Sequence, residues 1–342
     1  MRFHVIGSGI SGSTAARLLA DAGHHVEVWE TRGHAGGNCH DECVNGVTIH
    51  RYGPHLFHTN DRQVWEFLSR FTAWHDYRHT VVADTALGRI SIPFSMKTEQ
   101  QLGRRLSDEE IRELIFVDYS AKQWGVPWDQ LPASIKDRVP IRRENADDRY
   151  FNDTYQGQPA AGYAALFRLM LDGIPIHLGA AKDAWRRNRR PTDHVIYTGK
   201  IDEFYHCVHG PLPYRSLRFE HEWSGTRLPH SIINQCNRLP YTRFYDHAYF
   251  SNEHPVQTLV TREFPEAHHD GNEPYYPMPF GTGMETYLKY QRLAAAEPNM
   301  IFLGRLATYS YLDMWMAVAQ TMTKIRPFIH SFIQQTRTND NQ

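Results

Sequence analysis

The chain has 342 residues, 41% hydrophobic and 22% charged, a composition that suits a folded enzyme and excludes a disordered or fibrous protein. Its 37 Lys and Arg balance 38 Asp and Glu, so a net charge of -1 excludes a general basic field for nucleic acid or anionic lipid. No apolar run is long enough for a membrane span and no basic, apolar leader precedes Arg2, so we expect a cytoplasmic protein without membrane or nucleic-acid partners.

In chain order, residues 3–6 form a short apolar run that predicts a strand, and residues 13–22 predict a helix, with Ala15, Leu18 and Leu19 at helical spacing. Residues 25–30 alternate Val26 and Val28 into a second strand, which completes a β-α-β unit. Residues 61–74 read as an amphipathic helix with Val64, Phe67, Leu68 and Phe71 on one face, and residues 79–93 as strands. Helices are expected at 107–119 and 132–137, opening with Ser and Pro as caps do. A helix at 163–171 and a buried strand at 194–197 follow. Residues 216–263 predict an antiparallel sheet of short aromatic strands. The chain closes with a helix at 284–295, a strand at 300–303 and a long helix at 311–329.

The expected fold class is α/β. Residues 1–80, 150–205 and 285–342 would build a discontinuous Rossmann domain, interrupted by a small helical segment at 98–145 and an antiparallel sheet domain from 81–97 and 206–284. Cys39, Cys43, Cys207 and Cys236 are too few and too unevenly spaced for a disulfide framework. Cys39, His40 and Cys43 lack the second pair that a zinc site requires, so no metal is expected.

Gly7, Gly9 and Gly12 spell GxGxxG between the first strand and helix. The first Gly permits the tight turn, the second admits a pyrophosphate, and the third lets helix and strand pack closely. Helix N-terminal amides, with Ser11 among them, then face the phosphates, and Glu30 ends the second strand where a ribose-binding acid belongs. Gly36, Gly37 and Asn38 resemble the second glycine loop of glutathione-reductase-type flavoproteins, and the turn at Gly304-Arg305 resembles their other flavin contact. That resemblance favours FAD over NAD.

Several further blocks carry a more specific likeness. Tyr52 to Asn60 (YGPHLFHTN), Lys122-Gln123-Trp124-Gly125, Asp153 to Gly157, Tyr214 to Glu220, Pro240-Tyr241-Thr242-Arg243, Glu273 to Pro277, and Gly304-Arg305-Leu306 through Met314 occur in order over nearly the whole chain. Together they resemble the UDP-galactopyranose mutase family. The resemblance implies a flavin-dependent enzyme, active when its FAD is reduced, that interconverts the pyranose and furanose forms of a nucleotide sugar through a covalent bond between the sugar and flavin N5. It implies Arg138 and Arg243 as the cations that hold the diphosphate, since guanidinium forks suit phosphate oxygens and never lose charge. Tyr150, Tyr276 and Tyr311 match phosphate-reaching hydroxyls, Trp124 and Tyr119 match flat rings at the nucleotide and sugar end, and His55, Arg215, Arg305 and Asp313 match positions around the flavin, with Met314 beside them. An external reductant such as NADPH or a reductase is implied as well.

Three departures stand out. Leu303 precedes Gly304 where the family has a second glycine, Cys39 follows the Gly36-Gly37-Asn38 loop where the family has a small Ala, and the 98–119 segment is much shorter than the family's helical domain. The shortening implies a monomer or an altered dimer and looser nucleotide selectivity. A mutase for another nucleotide sugar, and an FAD-dependent oxidase of the same fold, stay open as alternatives at this point.

Overall fold

The computed structural model describes residues 1–251 and 255–339, with side chains described to residue 329. The 340–342 end of the expected Rossmann segment and residues 252–254 of the expected sheet domain lie outside them.

Two sheets organise the chain. The first has five parallel strands in the order Ile176–His177, His25–Trp29, Arg2–Ile6, His194–Tyr197 and Met300–Phe302. Strands buried on both faces read as continuous apolar runs, and Phe3, Val5, Val26, Val28 and Ile196 are all buried here. The helix Ile10–Asp21 turns Ala15, Ala16 and Leu19 onto them, and Ile325 of the closing helix Met314–Asn339 joins the same core.

The second sheet has seven strands, ordered Tyr276–Pro277, Tyr214–Ser224, Thr258–Ala267, Arg243–Asp246, Ile232–Gln235, Val81–Thr85 and Gly88–Ile92. One pairing departs from the antiparallel expectation. Ile232–Gln235 runs parallel to Val81–Thr85, with Ile233 opposite Val82, so the sheet is mixed. The two strands are far apart in sequence and no hairpin dictates their relative direction.

A helical segment lies on this sheet. Ser107 and Glu110 form a reciprocal capping box that starts it. It runs through a π-helical stretch at Arg112–Val117 into the helix Asp118–Trp124, longer than the 107–119 expectation. Ile111 and Ile115 are buried against Val81, Ala83, Ile90 and Ile92, leaving Glu109, Glu110, Arg112 and Glu113 outward.

Other expectations change at their ends. The helix expected over 61–74 stops at Ser69. There the Ser69 hydroxyl donates to the Trp65 carbonyl at 2.7 Å and accepts from Trp74 Nε1 at 2.8 Å, while Trp74–His75 leaves as a strand. Helix Met96–Leu102 went unread, although Ser95 and Thr98 mark its start, Ser95 N donating to Thr98 Oγ1 at 3.1 Å. The closing helix begins at Met314, and Arg305 donates to the Leu312 carbonyl at 2.6 Å, which keeps residues 311–313 outside it.

Candidate active site: two joined cavities

The β-α-β glycines build the first cavity, about 690 Å³, within the usual range for a small-molecule site. Gly7 has φ +99°, a conformation that side chains resist. A Cβ on Gly12 would sit 1.9 Å from the Gly7 carbonyl oxygen, so helix and strand meet there with no room to spare. Gly36 and Gly37 are also left-handed, and a Cβ on Gly37 would lie 2.8 Å from Gly9 Cα. The two glycine turns therefore abut. Glu30 is buried at the end of its strand, and its carboxylate accepts from Ser8 N at 2.9 Å, Ser8 Oγ at 2.8 Å and Arg32 N at 2.9 Å. Gly7, Gly9, Ser11, Gly12, Glu30, Gly36, Gly37, Asn38, Arg305, Asp313 and Met314 all line this cavity.

The second cavity lies between the helical segment and the mixed sheet. Phe116, Tyr119, Ser120, Gln123 and Trp124 line one wall at helical spacing. Asn234, Arg243 and Glu263 from neighbouring strands line the other, and Arg138, Tyr150, Tyr276 and Tyr311 complete it. Tyr276 and Tyr311 stack with centroids 5.7 Å apart, and Trp124 lies 6.2 Å from each. Asn38, His55, Tyr275, Arg305, Asp313 and Met314 border both cavities, so the two spaces join at that wall.

The cations are held in different ways. Arg243 Nε lies 3.1 Å from Glu263 Oε1, and the Glu263 side chain is 1% exposed. Burial opposes the Arg243 charge, but Glu263 and the surrounding hydroxyls more than offset it and raise its pKa well above the usual value. Burial pushes Glu263 up while Arg243 pulls it down; with a permanent guanidinium alongside, the carboxylate is the form that leaves no charge uncompensated. Arg138 sits at the open mouth with its side chain 45% exposed, 3.3 Å from Asp313 Oδ1 and 4.2 Å from the Tyr311 ring centroid. Burial opposes its charge too, but Tyr311 and Asp313 raise its pKa. Arg305 donates to the carbonyls of Tyr275 and Leu312, which aims it at the shared wall.

His55 Nδ1 lies 2.8 Å from the Gly53 carbonyl and so carries the proton, leaving Nε2 as an acceptor. Burial, with Arg305 and Arg243 adding to it, lowers His55 to about 4, so the ring is neutral at pH 7. Arg215 is the one site candidate placed elsewhere, and this corrects its expected role at the ligand. It lines neither cavity; its guanidinium donates to the Gln123 carbonyl at 3.0 Å and the Lys122 carbonyl at 3.2 Å, closing the helix C-terminus.

Among the residues of the second cavity's wall that the sequence does not single out are the polar side chains His58, His79, Asn234 and Glu263. Burial lowers His79 to about 3, with Arg243 and His58 assisting. Asn234 and Glu263 stand opposite Arg243 on its two neighbouring strands, so only strand register could have pointed to them. Among the described residues no helix is long and apolar enough to cross a membrane. No three metal-ligating side chains converge among them either.

A family model described as UDP-galactopyranose mutase matches residues 114–311, and one described as an NAD(P)-binding Rossmann-like domain matches residues 5–71. The chain is 33% identical to a probable UDP-galactopyranose mutase of Klebsiella pneumoniae over 97% of its length and 95% of the relative. It is 34% identical to a dTDP-fucopyranose mutase of Escherichia coli, covering 93% of the chain and 96% of that protein. A crystal structure of reduced UDP-galactopyranose mutase matches the fold with a TM-score of 0.75 at 15% identity, over 95% of this chain and 94% of that one. Putrescine oxidase shares the fold more distantly, with a TM-score of 0.59 at 12% identity, over 96% of this chain and 99% of that one. The chain belongs to the UDP-galactopyranose mutase family and is an isomerase of the nucleotide-sugar mutase class.

Proposed function

We propose that the protein binds FAD in the glycine-lined cavity and, with the flavin reduced, interconverts UDP-galactopyranose and UDP-galactofuranose in the cavity beside it. The observation that carries this reading is the shared wall at His55, Arg305 and Asp313, with Arg243 and Arg138 further along the second cavity. A flavin lying against that wall would meet a sugar whose diphosphate is held by the arginines. The fit of FAD rests on the two abutting glycine turns, where a Cβ on Gly12 or Gly37 would strike neighbouring main chain, and on buried Glu30 at the end of the second strand, where a ribose-binding acid belongs.

Reduced FAD supplies a nucleophile for the anomeric carbon and consumes no reducing equivalents overall. The protein's own residues do the rest. Arg243 and Arg138 take up the charge that develops on the diphosphate as its bond to the sugar lengthens, and both stay cationic across the working pH range. Burial raises the pKa of the Tyr150 and Tyr276 hydroxyls, which stay protonated at neutral pH; with the hydroxyl of Tyr311 on the same wall they are available to donate to phosphate oxygens. Tyr119 and Trp124 cover the sugar and nucleotide faces and exclude water, which strengthens each of those contacts. Neutral His55 accepts through Nε2 at the shared wall without adding charge. The reductant is external, NADPH or a partner reductase.

One observation favours a second substrate. Identity to the dTDP-fucopyranose mutase is as high as to the galactose enzyme, and Val81, Phe116, Leu217 and Ile232 give the second cavity an apolar side that suits a 6-deoxy sugar. Incubating dithionite-reduced protein with UDP-galactofuranose and, separately, dTDP-fucofuranose decides between them. Conversion of the first to its pyranose supports the main reading; conversion of only the second transfers the reading to dTDP-fucose; stoichiometric substrate oxidation would refute both.

A further inference from the structure

Lys122 belongs to the helix Asp118–Trp124, whose Tyr119 and Trp124 line the second cavity, yet Lys122 itself lines neither cavity. Its Nζ donates to four main-chain carbonyls of a single loop: Gln235 at 2.8 Å, Asn237 at 2.9 Å, Leu239 at 2.9 Å and Tyr241 at 3.1 Å. An ammonium has three N–H donors and no acceptor, so four oxygens share it and the loop curls around a point charge. No carboxylate forms an ion pair with it among the described residues. The nearest titratable groups are Cys236, whose thiol burial pushes up to about 12, and Asp118. Burial draws the ammonium down to about 8, and the four carbonyl dipoles oppose that by holding the charged form.

The loop so gathered joins the strand Ile232–Gln235 to the strand Arg243–Asp246. Its two ends are Asn234 and Arg243, registered opposite each other and both on the cavity wall. The loop's protected amides depend on that geometry: Gln235 N donates to the Thr242 carbonyl at 2.8 Å, Cys236 N to the Asp84 carbonyl at 3.0 Å, and Leu239 N to Asn237 Oδ1 at 3.0 Å. The carbonyls of Lys122 and Gln123 meanwhile accept from Arg215, which anchors the same helix end to the strand Tyr214–Ser224.

We propose that Lys122 is a positioning residue: its ammonium is the template around which the 235–241 loop folds, and through that loop it sets where Arg243 and Asn234 meet the diphosphate. The diphosphate part rests on the function proposed above; the folding of the loop around the ammonium does not. Truncating the side chain would leave a cage of carbonyl oxygens of a size that ammonium or potassium can occupy.

The test uses the FAD-loaded protein and Lys122→Ala, with hydrogen exchange across residues 235–242 and UDP affinity as readouts. Each is measured in ammonium, potassium and tetramethylammonium chloride at equal ionic strength. Loss of charge-assisted hydrogen bonds should speed loop exchange and weaken UDP binding by about tenfold or more. Ammonium should restore both, and tetramethylammonium, too large for the cage, neither. Unchanged exchange in the variant overturns the proposal, and so does faster exchange that ammonium leaves unaltered. If the alanine variant fails to fold, Lys122→Met keeps the packing of the stem and removes only the charge; loop exchange equal to that of the wild type would then overturn the proposal. Wild-type protein that does not bind UDP would refute the function proposed above while leaving the exchange readout valid.

Discussion

The two cavities are built on opposite plans. The glycine-lined cavity is floored by main chain that glycines bring close within one contiguous stretch, Gly7 to Asn38, and walled by segments around residues 197–203, 268–275 and 304–314. The second cavity is made of side chains from distant elements: Arg138 from a loop, Tyr119 and Trp124 from a helix, Arg243 and Glu263 from adjacent strands. A backbone site fails when an atom is added, whereas a side-chain site fails when charge is removed.

Gly12→Ala should give the largest effect. Its new Cβ would lie 1.9 Å from a main-chain oxygen that cannot move without breaking the first turn. We expect protein that is insoluble or free of flavin, read from the 450 nm absorbance; a full complement of FAD would show that the turn is not the cofactor's seat.

Arg243→Ala and Arg138→Ala should keep the flavin and lose at least about a hundredfold in turnover, the loss expected when a two-bond charged fork leaves the diphosphate. Their stabilities should separate. Removing Arg243 leaves Glu263 buried without its partner, a cost of about 3 to 5 kcal/mol, while Arg138 sits at the exposed mouth and its loss should barely change the melting temperature. Equal melting temperatures would remove the distinction drawn between the two cations, and near-normal turnover in either would move the diphosphate elsewhere.

Acid should destabilise the fold through three buried rings: His79 on the second cavity, His55 on the shared wall, and His247, which lines neither cavity. Burial holds His55 at about 4, and His79 and His247 at about 3. These folded values lie below the unfolded 6.5, so the unfolded chain takes up protons first as pH falls. The stability these rings contribute is complete above about pH 6.5 and is lost as pH falls toward 4 and 3, at about 1.4 kcal/mol per pH unit for each. His247 is fully buried, accepting at Nδ1 from His50 N at 3.2 Å and lying 3.0 Å from Thr261 Oγ1 through Nε2. Melting curves of His247→Gln between pH 7 and 5 should fall less steeply than those of the wild type; parallel curves would contradict this assignment.

Association should show the smallest effect. The helical segment turns Ile111 and Ile115 into the sheet and leaves charges outside, which offers little of the 1,200 to 2,000 Å² that a stable interface usually buries. Light scattering at micromolar concentration should report a monomer; a dimer broken by Glu109→Arg or Glu113→Arg would contradict this.

The same contrast explains what could be read in the sequence. Gly7, Gly9, Gly12 and Glu30 are legible because a local turn needs those residues at that spacing. Arg138 and Arg243 emerged only through family resemblance, since nothing in their local spacing marks a phosphate fork. Glu263 and Asn234 were missed because their partner Arg243 lies on another strand and register is not written in local pattern, and His79 because the rings it faces, Tyr150 and Phe151, are distant in sequence. Tyr311 and Asp313 reach the cavity because the closing helix starts three residues later than its apolar periodicity suggests, with Arg305 holding the Leu312 carbonyl. Arg215 shows the converse: it sits within a block that resembles the family, yet its guanidinium closes a helix.

The most direct test of the joined cavities measures turnover and electron balance together. Protein reduced with a known amount of dithionite under argon is given excess UDP-galactofuranose, and UDP-galactopyranose and the flavin spectrum are followed at once. We predict many turnovers per flavin with the spectrum still reduced at the end. One product per flavin accompanied by a change in flavin redox state, or no product while bound FAD is retained, would contradict it.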